Sequence, residues 1–165
     1  MITPDNTIFP NNAVVLITDR VKLLDTDLAS AVFGRPLRNT DPNQCVGVFG
    51  SVWVPDQDSL EMKGFMPTQE PTLGRYIITV QSFVKDMEEE RGLNTHNTLS
   101  RILRGMLYND APLRQSLATL SSTVGNSTER YKRSGVSQQR YFSNELQGQW
   151  LYLSILEFWL ETENT

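Results

Sequence analysis

The sequence contains very few of the side chains that most often carry chemistry. Its 165 residues include one cysteine, Cys45, and one histidine, His96. This scarcity excludes an intrachain disulfide and a zinc site built from several cysteines or histidines. A Ser/His/Asp or Cys/His catalytic arrangement would have to use His96, which lies in the polar stretch 94–97. We expect His96 to be an exposed residue near a helix start. The sequence therefore predicts a protein that is not an enzyme and binds no cofactor.

The sequence also lacks a secretion signal, a membrane-spanning run and an excess of positive charge. Its N-terminal sequence, MITPDNTIFP, has neither the basic nor the apolar region of a secretory signal. No run reaches the roughly 18 apolar residues that a membrane helix needs. The formal net charge is −4, whereas a dedicated nucleic-acid binder usually has a basic excess. We therefore expect folding in a reducing cytosol and no membrane partner.

Acidic residues are most concentrated between residues 86 and 90. Asp86, Glu88, Glu89 and Glu90 lack the Gly-centred loop and the regular spacing of an EF-hand. Negative side chains are favoured in the first turn of a helix, where they face the positive end of the helix dipole. The sequence therefore predicts a solvated acidic helix start here and no metal site.

The most apolar stretch lies near the end of the sequence and favours a strand. Residues 148–163 read GQWLYLSILEFWLETE and hold two of the three tryptophans. Aromatic residues at period two favour a strand, although Ser154, Glu157 and Glu161 would also form a polar stripe on a helix. As a strand, the run spans on the order of 45 Å, which exceeds a typical strand. We expect its exposed end, including Trp159 and Glu161, to be available to a neighbouring subunit.

Three further segments read as strands. Residues 45–54 form an apolar run that ends at a proline, and residues 75–85 show the clearest alternation of the sequence. Residues 128–143 alternate polar and aromatic side chains around Ser134 and Gly135. They are either one strand or a loose hairpin.

Helical periodicity predicts two main helices, at residues 12–32 and 97–108, and a short helix capped by Asp110. The length and the 39% hydrophobic content suit a single domain over residues 1–165. We predict an α+β fold, in which a mostly antiparallel sheet of about four to five strands carries the two main helices on one face.

A long inter-strand loop is predicted at residues 55–74. This segment is polar and contains three prolines, and loops of this length are often functional. Met62, Phe65 and Met66 are apolar residues on this excursion. The loop either folds back on its own domain or is an arm that docks on a partner, where Met and Phe are favoured contact residues.

Basic residues alternate with aromatic ones in the segment before the terminal run. Such interleaving occurs in proteins that bind single-stranded nucleic acid. The simpler interpretations are the solvated face of a strand or salt-bridge partners across a subunit interface. The residues are Arg130, Lys132, Arg133 and Arg140, interleaved with Tyr131 and Tyr141.

Two segments carry a resemblance to a known family. The first, RYIITVQSFVKDMEEERGLNTHNTLSRILRGMLYNDAPLRQSL, contains a strand, an acidic turn, a helix and a D-x-P-L-R short helix. The second, RYFSNELQGQWLYLSILEFWLETE, contains the closing strands. Together these segments resemble tail terminator proteins of long-tailed phages with non-contractile tails, of the type found in mycobacteriophages. The resemblance covers a little over half of the chain, residues 75–163, and concerns the order of elements.

The resemblance implies an α+β subunit of the virion that forms a hexameric ring on the head-proximal end of the tail tube. Such a ring stops polymerisation of the tail tube protein and joins the tail to the head–tail connector. Genomic DNA passes through its lumen without specific binding. The implied location is the tail or neck of the virion, and the host cytoplasm during assembly. The family has no fixed functional residues, so our interface candidates come from the sequence alone: Met62, Phe65, Met66, Arg130, Lys132, Arg133, Arg140, Trp159 and Glu161.

Two other functions are compatible with the sequence. A head-side stopper, or head completion protein, is similar in size and also forms rings. A small α+β ligand-binding domain belongs to a different class and predicts an apolar pocket with convergent polar groups.

Overall fold

A computed structural model describes residue 5, residues 7–56 and residues 72–165 of the chain. Helices and strands follow one another in the order of an α+β fold, as predicted. They are α1 (Asn11–Leu24), a 3-10 helix (Thr26–Ala31), β1 (Val32–Phe33), β2 (Gln44–Gly50), β3 (Val54–Pro55), β4 (Leu73–Asp86), α2 (Glu89–Asn109), α3 (Ala111–Ala118), β5 (Ser121–Val124), β6 (Ser127–Leu146) and β7 (Gln149–Asn164).

The sheet is larger than predicted, and it is mixed. Its strand order is β1-β2-β4-β7-β6-β5, with β3 paired to part of β4, so the described residues hold seven strands instead of four to five. β1 runs parallel to β2, whereas the other pairs are antiparallel. The strands that the sequence did not reveal, β1, β3 and β5, have two, two and four residues. Segments this short are too brief to show a hydrophobic period.

β4 and β7 form the centre of the sheet. They run antiparallel in an unbroken register from Leu73 opposite Glu163 to Asp86 opposite Trp150. The terminal apolar run is therefore a strand, and the helical alternative for it is wrong. Its apolar side chains are consistent with a central strand, since such a strand is flanked by neighbours on both edges.

The helices cover one face of the sheet and form the core with it. Every second residue along the middle of β4 and β7 points to this face, and Ile78, Val80 and Leu156 have no exposed surface. From the helix layer, Ile17 on α1 and Leu103 on α2 are equally buried. Full burial of such a side chain stabilises the fold by about 1.5–3 kcal/mol.

The helix boundaries differ from the predicted ones. α1 begins at Asn11 but ends at Leu24, and the chain continues as the 3-10 helix in which Leu28 is buried. α2 begins at Glu89, well before the predicted start at residue 97. Glu89 and Glu90 lie exposed in its first turn, where the helix dipole favours negative charge. The prediction of an acidic helix start is confirmed.

The opposite face of the sheet, hereafter the open face, carries no helix within the described ranges. Residues 34–43 cross it near β2, where the Leu37 amide donates a hydrogen bond to Gln81 Oε1 at 3.1 Å. Most apolar side chains of this face are only half-buried, although Cys45 is fully covered. The half-buried ones on β4 and β7 include Ile77, Phe83, Leu151, Leu153, Ile155 and Trp159.

Candidate assembly surface

The longest hairpin of the described residues is formed by β6 and β7, with 20 and 16 residues. A tight turn joins them, in which Gln147 and Gly148 have positive φ angles of 53° and 76°. Two positive φ angles at the turn are typical of a type I′ hairpin, whose twist matches that of paired strands. Of the two interpretations of residues 128–143, the single strand is therefore correct. Two register shifts flank Ser134 and Gly135, where the sequence pattern breaks.

β7 has a paired neighbour on both of its edges. β4 pairs with it from one end to the other, and β6 pairs with it from Glu129 opposite Asn164 to Leu146 opposite Gln149. The prediction of an exposed, unpaired end for this strand is therefore wrong, whereas an interface role for Trp159 and Glu161 stays a prediction. Trp159 is half-buried and Glu161 is buried within their own subunit. Backbone groups pair regardless of side-chain polarity, which is why the polar strand β6 covers an apolar one.

β6 supplies the free edge instead. β5 pairs only with its first residues, up to Arg130, and the Tyr131 amide bonds to the Leu120 carbonyl. From residue 132 to residue 146, no strand of the described part of the chain pairs with its outer side. We refer to this stretch as the β6 edge. It ends in exposed side chains that include Phe142 and Leu146, with 51% and 57% of their surface accessible.

Three of the four predicted basic candidates are paired inside the subunit. Lys132 Nζ lies 2.8 Å from Glu163, Arg133 Nε lies 2.9 Å from Glu161, and Arg140 Nη2 lies 3.1 Å from Glu157. Arg130 is exposed and forms no ion pair with any described residue. The partners of the three paired residues are carboxylates of the adjacent β7. The geometry therefore supports the interpretation of these basic residues as the exposed face of a strand.

Trp159 is held between two guanidinium groups on the open face. The guanidinium carbon of Arg75 lies 4.8 Å from the indole centroid, and that of Arg133 lies 5.7 Å from it. Both arginines also pair with Glu161, at 3.5 and 2.9 Å, and the bond to Glu161 raises the pKa of Arg133. The structure thus brings together Arg133, Trp159 and Glu161, all predicted candidates. It adds Arg75, which the sequence pattern did not single out.

Close packing around Trp159 depends on Gly135. A Cβ atom on this residue would lie 2.8 Å from Trp159 Cζ2, so a larger side chain has no room there. The glycine allows the indole to lie flat against β6. This arrangement fixes one end of the half-buried apolar stripe on the open face.

A concavity of about 510 Å³ lies on the same face near the hairpin turn. Its lining includes the apolar side chains of Phe83 and Leu153 and the basic residues Arg38 and Lys85. Leu146, at the end of the β6 edge, also lines it. The edge and the open face are therefore one continuous surface.

The remaining interface candidates, Met62, Phe65 and Met66, lie outside the described residues. The loop prediction at 55–74 overlaps the described part only at its two ends. There Pro55 belongs to β3 and pairs with Gly74 of β4.

His96 is not the exposed residue that the sequence predicted. It is 3% exposed, inside α2, with its ring stacked on Tyr152 at 5.8 Å and edge-on to Tyr141 at 6.1 Å. Burial lowers the pKa of this imidazole. The prediction failed because Thr95 and Asn97 look like capping residues, although the helix already begins at Glu89.

A polar pair between a buried tyrosine and a half-buried glutamate, near the other end of the sheet, was not predicted at all. The Tyr76 hydroxyl donates to the carboxylate of Glu129, 2.8 and 3.0 Å from its two oxygens. Burial raises the pKa of both groups, and hydrogen bonds from Tyr76 and Thr162 partly offset the effect on Glu129. The Trp53 indole N–H donates to Thr162 Oγ1 at 3.1 Å and extends the network. The alternation of residues 75–85 places Tyr76 on one face of its strand, but nothing in the sequence pairs it with Glu129.

Comparison with known proteins adds no relative: no protein-family model matches the chain, and no curated protein matches it. Across the described ranges, no three His, Cys, Asp or Glu side chains converge in a way that could hold a metal ion. None of the helices described is both long enough and apolar enough to cross a membrane. The features that the geometry offers for function are a long unpaired strand edge and a half-buried apolar face beside it.

Proposed function

We propose that this chain is a structural virion protein of the tail terminator type. It forms a ring, hexameric as the family resemblance implies, on the head-proximal end of a phage tail tube. The ring stops polymerisation of the tail tube protein and joins the tail to the head–tail connector. The observation that carries the proposal is the β6 edge, which runs from residue 132 to residue 146 beside the open face.

Sheet extension is the contact that this edge supports. An unpaired edge presents N–H and C=O groups that bond to a strand of another chain. The other end of the strand order is a different surface, where β1 covers the outer side of β2 only at Val46 and Gly47. A contact between two unlike surfaces repeats head to tail and forms a ring when the rotation closes.

The open face supports a second contact, with the tail tube protein. Its apolar side chains are half-buried in the isolated subunit, and a partner that covered them would remove further apolar surface from water. Trp159 is an anchor of the kind found at interface centres, because it combines a large ring with fixed neighbours. A tube end that binds this face is no longer available to the next tube ring.

Passage of DNA without specific binding is consistent with the charge distribution. The chain has a formal net charge of −4, and three of its four candidate basic residues are engaged by carboxylates of β7. A net negative charge repels the phosphates of DNA and so opposes binding to it. The proposed function also implies a location in the tail or neck of the virion, and in the host cytoplasm during assembly.

The first test is electron microscopy of particles assembled without this protein. Overlong or variable tails beside tailless heads support a tail terminator. Tails of normal length that are finished but unattached would instead indicate the head-side stopper. Normal, infectious particles would contradict both structural functions.

The second test uses one substitution on the candidate surface and one matched control. Phe142→Lys adds a charge at the β6 edge, and Leu23→Lys adds the same charge on α1, where 71% of the leucine surface is already exposed. In sedimentation with purified tail tube protein, we expect Phe142→Lys to abolish the ring or its binding and Leu23→Lys to leave both unchanged. Equal behaviour of the two variants would exclude the β6 edge as the assembly surface.

The concavity on the open face also favours a second candidate, a small ligand-binding domain. Its apolar floor and polar rim are typical of small-molecule sites. This function predicts a stable monomer whose activity does not depend on the β6 edge. Sedimentation as a monomer, together with normal particles in the absence of the protein, would favour it.

A further inference from the structure

α2 is docked on the sheet through an unusually polar seam. In the described part of the chain, five buried side-chain nitrogen or oxygen atoms have no hydrogen-bond partner in the protein. All five belong to α2 or to the strands beneath it, and Ser82 on β4 lies directly opposite Ser154 on β7. We refer to these residues as the polar seam. They are His96, Ser100, Ser82, Ser154 and Gln139.

The polar seam makes the contact between α2 and the sheet weaker in one half of the helix than in the other. Buried polar groups either stay unpaired or bond to water, and in both cases they gain less from burial than apolar groups do. Beyond Ser100, α2 buries Leu103, Met106 and Leu107 in the apolar core. The C-terminal half of α2 is therefore anchored by apolar contacts. Within residues 89–99, Leu99 reaches the apolar core, and the other attachments to the strands are the seam, the Arg91–Asp86 pair at 2.7 Å and the bond from the Tyr152 hydroxyl to the Glu89 carbonyl at 2.9 Å.

His96 is the titratable member of the seam. Its ring touches Tyr152 and Tyr141, and it forms no ion pair with any described residue. The ionisable groups that act on the neighbouring Tyr152 are Glu89 on α2 and Asp86 at the end of β4. Asp86 is already paired with Arg91 at 2.7 Å, so it is not available to neutralise an imidazolium.

We propose that α2 is a proton-sensitive clamp: when His96 takes up a proton, residues 89–99 leave the β6–β7 hairpin while the sheet itself stays paired. A positive charge between two phenol rings, with no carboxylate in contact, is poorly solvated until the helix moves away. The segment carries Leu93, His96 and Asn97, which line one side of a groove, so its departure exposes Tyr141 and Ser143 of β6 on the other side. This inference does not require the proposed ring.

The direction of the pH dependence follows from burial. The pKa of His96 is lowered from its ordinary value of 6.5 in the docked state, so the undocked state binds the proton more tightly. The docking of α2 on the sheet is therefore strongest above about pH 6.5. It weakens as the pH falls from 6.5 toward the lower pKa that His96 has in the docked state. Between the two values, one proton is taken up on opening. The opening constant then rises by up to about tenfold for each pH unit.

Hydrogen exchange read out by mass spectrometry tests the proposal in the intact chain. His96→Phe retains an aromatic ring against Tyr152 but cannot titrate, so it is the matched control. At each pH from 7 to 5, the wild-type rate for the peptide covering residues 89–99 is divided by the rate for the same peptide in the variant. We expect this ratio to rise by up to about tenfold per pH unit, and the ratio for β4 to stay constant.

A second measurement uses the fact that His96 is the only histidine. Its Hε1 proton signal reports the titration of a single group, without assignment. An ordinary value near 6.5 with unchanged exchange of residues 89–99 would overturn the proposal. A rise in exchange that is equal in His96→Phe would also overturn it, because carboxylates would then be responsible. If the variant does not fold, the wild-type ratio of residues 89–99 to β4 decides the question.

Discussion

Gly135 on β6 lies directly against the indole of Trp159 on β7, where an added Cβ would approach Trp159 Cζ2 to 2.8 Å. We therefore expect Gly135→Ala to displace the indole from its place between Arg75 and Arg133. Overpacking of this kind costs about 1–3 kcal/mol in the free energy of unfolding. Urea unfolding, monitored by tryptophan fluorescence, measures this loss in the free energy of unfolding.

Gly105→Ala is the control for that substitution. Gly105 lies in the exposed part of α2, and no atom lies within 4 Å of an added Cβ. Because glycine is unfavourable in a helix, this change should stabilise the protein by about 0.5–1 kcal/mol. If both alanine variants had the same stability, the close contact at Trp159 would not be a constraint.

Tyr76→Phe should destabilise the fold although it removes only one oxygen atom. The phenol donates to the Glu129 carboxylate, which is partly buried and keeps only the bond from Thr162 after the change. Loss of a bond to a buried polar group costs about 1–3 kcal/mol. Tyr108→Phe, at a residue whose surface is 47% exposed, is the matched control and should have little effect. Thermal unfolding of the two variants distinguishes these outcomes.

The pH dependence of the Tyr76 substitution has a defined sign. Burial raises the pKa of Glu129 above its ordinary 4.5, so the folded state prefers the protonated form. The Tyr76 bond opposes this shift by stabilising the carboxylate. We expect the difference between wild type and Tyr76→Phe to be largest at neutral pH and to shrink as Glu129 becomes protonated. A constant difference down to pH 3.5 would contradict the assignment.

Asp110 connects α1 to the start of α3. Its two oxygens accept bonds from Arg20 at 2.5 and 2.9 Å, and Oδ2 also accepts the Leu113 amide at 3.1 Å. Asp110→Ala removes the cap and the ion pair, and the cap alone is worth about 1 kcal/mol. Asp110→Asn keeps an oxygen for Leu113 and should cost less.

The contribution of the Asp110 charge should disappear in acid. The Arg20 bond lowers the pKa of Asp110 below 3.8, so the stabilisation is present above that value and is lost as the pH falls through the folded-state pKa. Melting temperatures of wild type and Asp110→Asn should therefore converge at low pH. A gap that persists unchanged at pH 2 would mean that hydrogen bonding, rather than charge, explains the difference.

Glu161→Gln should cost more than Glu157→Gln, although both remove one charge from β7. Glu161 is 8% exposed and holds both Arg75 and Arg133, whereas Glu157 is 27% exposed and holds only Arg140. Bonds from charged groups to a buried partner contribute about 1.5–3 kcal/mol, and exposed pairs contribute about 0–1 kcal/mol. Urea midpoints provide the comparison. A lower urea midpoint for Glu157→Gln than for Glu161→Gln would show that burial of Glu161 does not strengthen its ion pairs.

The sequence predicted the elements whose side chains carry a clear period. β4 alternates strictly, and α2 has its apolar residues on one face, so both were found. The pairing of the strands was not predictable in the same way. β6 is polar along most of its length, and its place beside β7 depends on backbone hydrogen bonds, which leave no pattern in the side chains.

The sequence predicted several residues of the candidate surface, but it did not predict how they are arranged. Arg133, Trp159 and Glu161 do lie together, but their contacts are inside one subunit. Their spacing along two strands is regular only when the register is known, and two register shifts in β6 alter it. His96 was misplaced for a similar reason, since local capping signals do not report how far a helix extends toward its N-terminus.

The position of β7 also determines when the sheet can be completed during synthesis. β7 is translated after the other described strands, yet it separates β4 from β6, and Leu73 pairs with Glu163 from the far end of the chain. Until the ribosome has released β7, the nascent chain holds two long strands that lack the neighbour they share. Pairing over such distances is slow, so both strands stay open to other chains for longer. In a crowded cell, a holdase chaperone has its clearest opportunity during that interval.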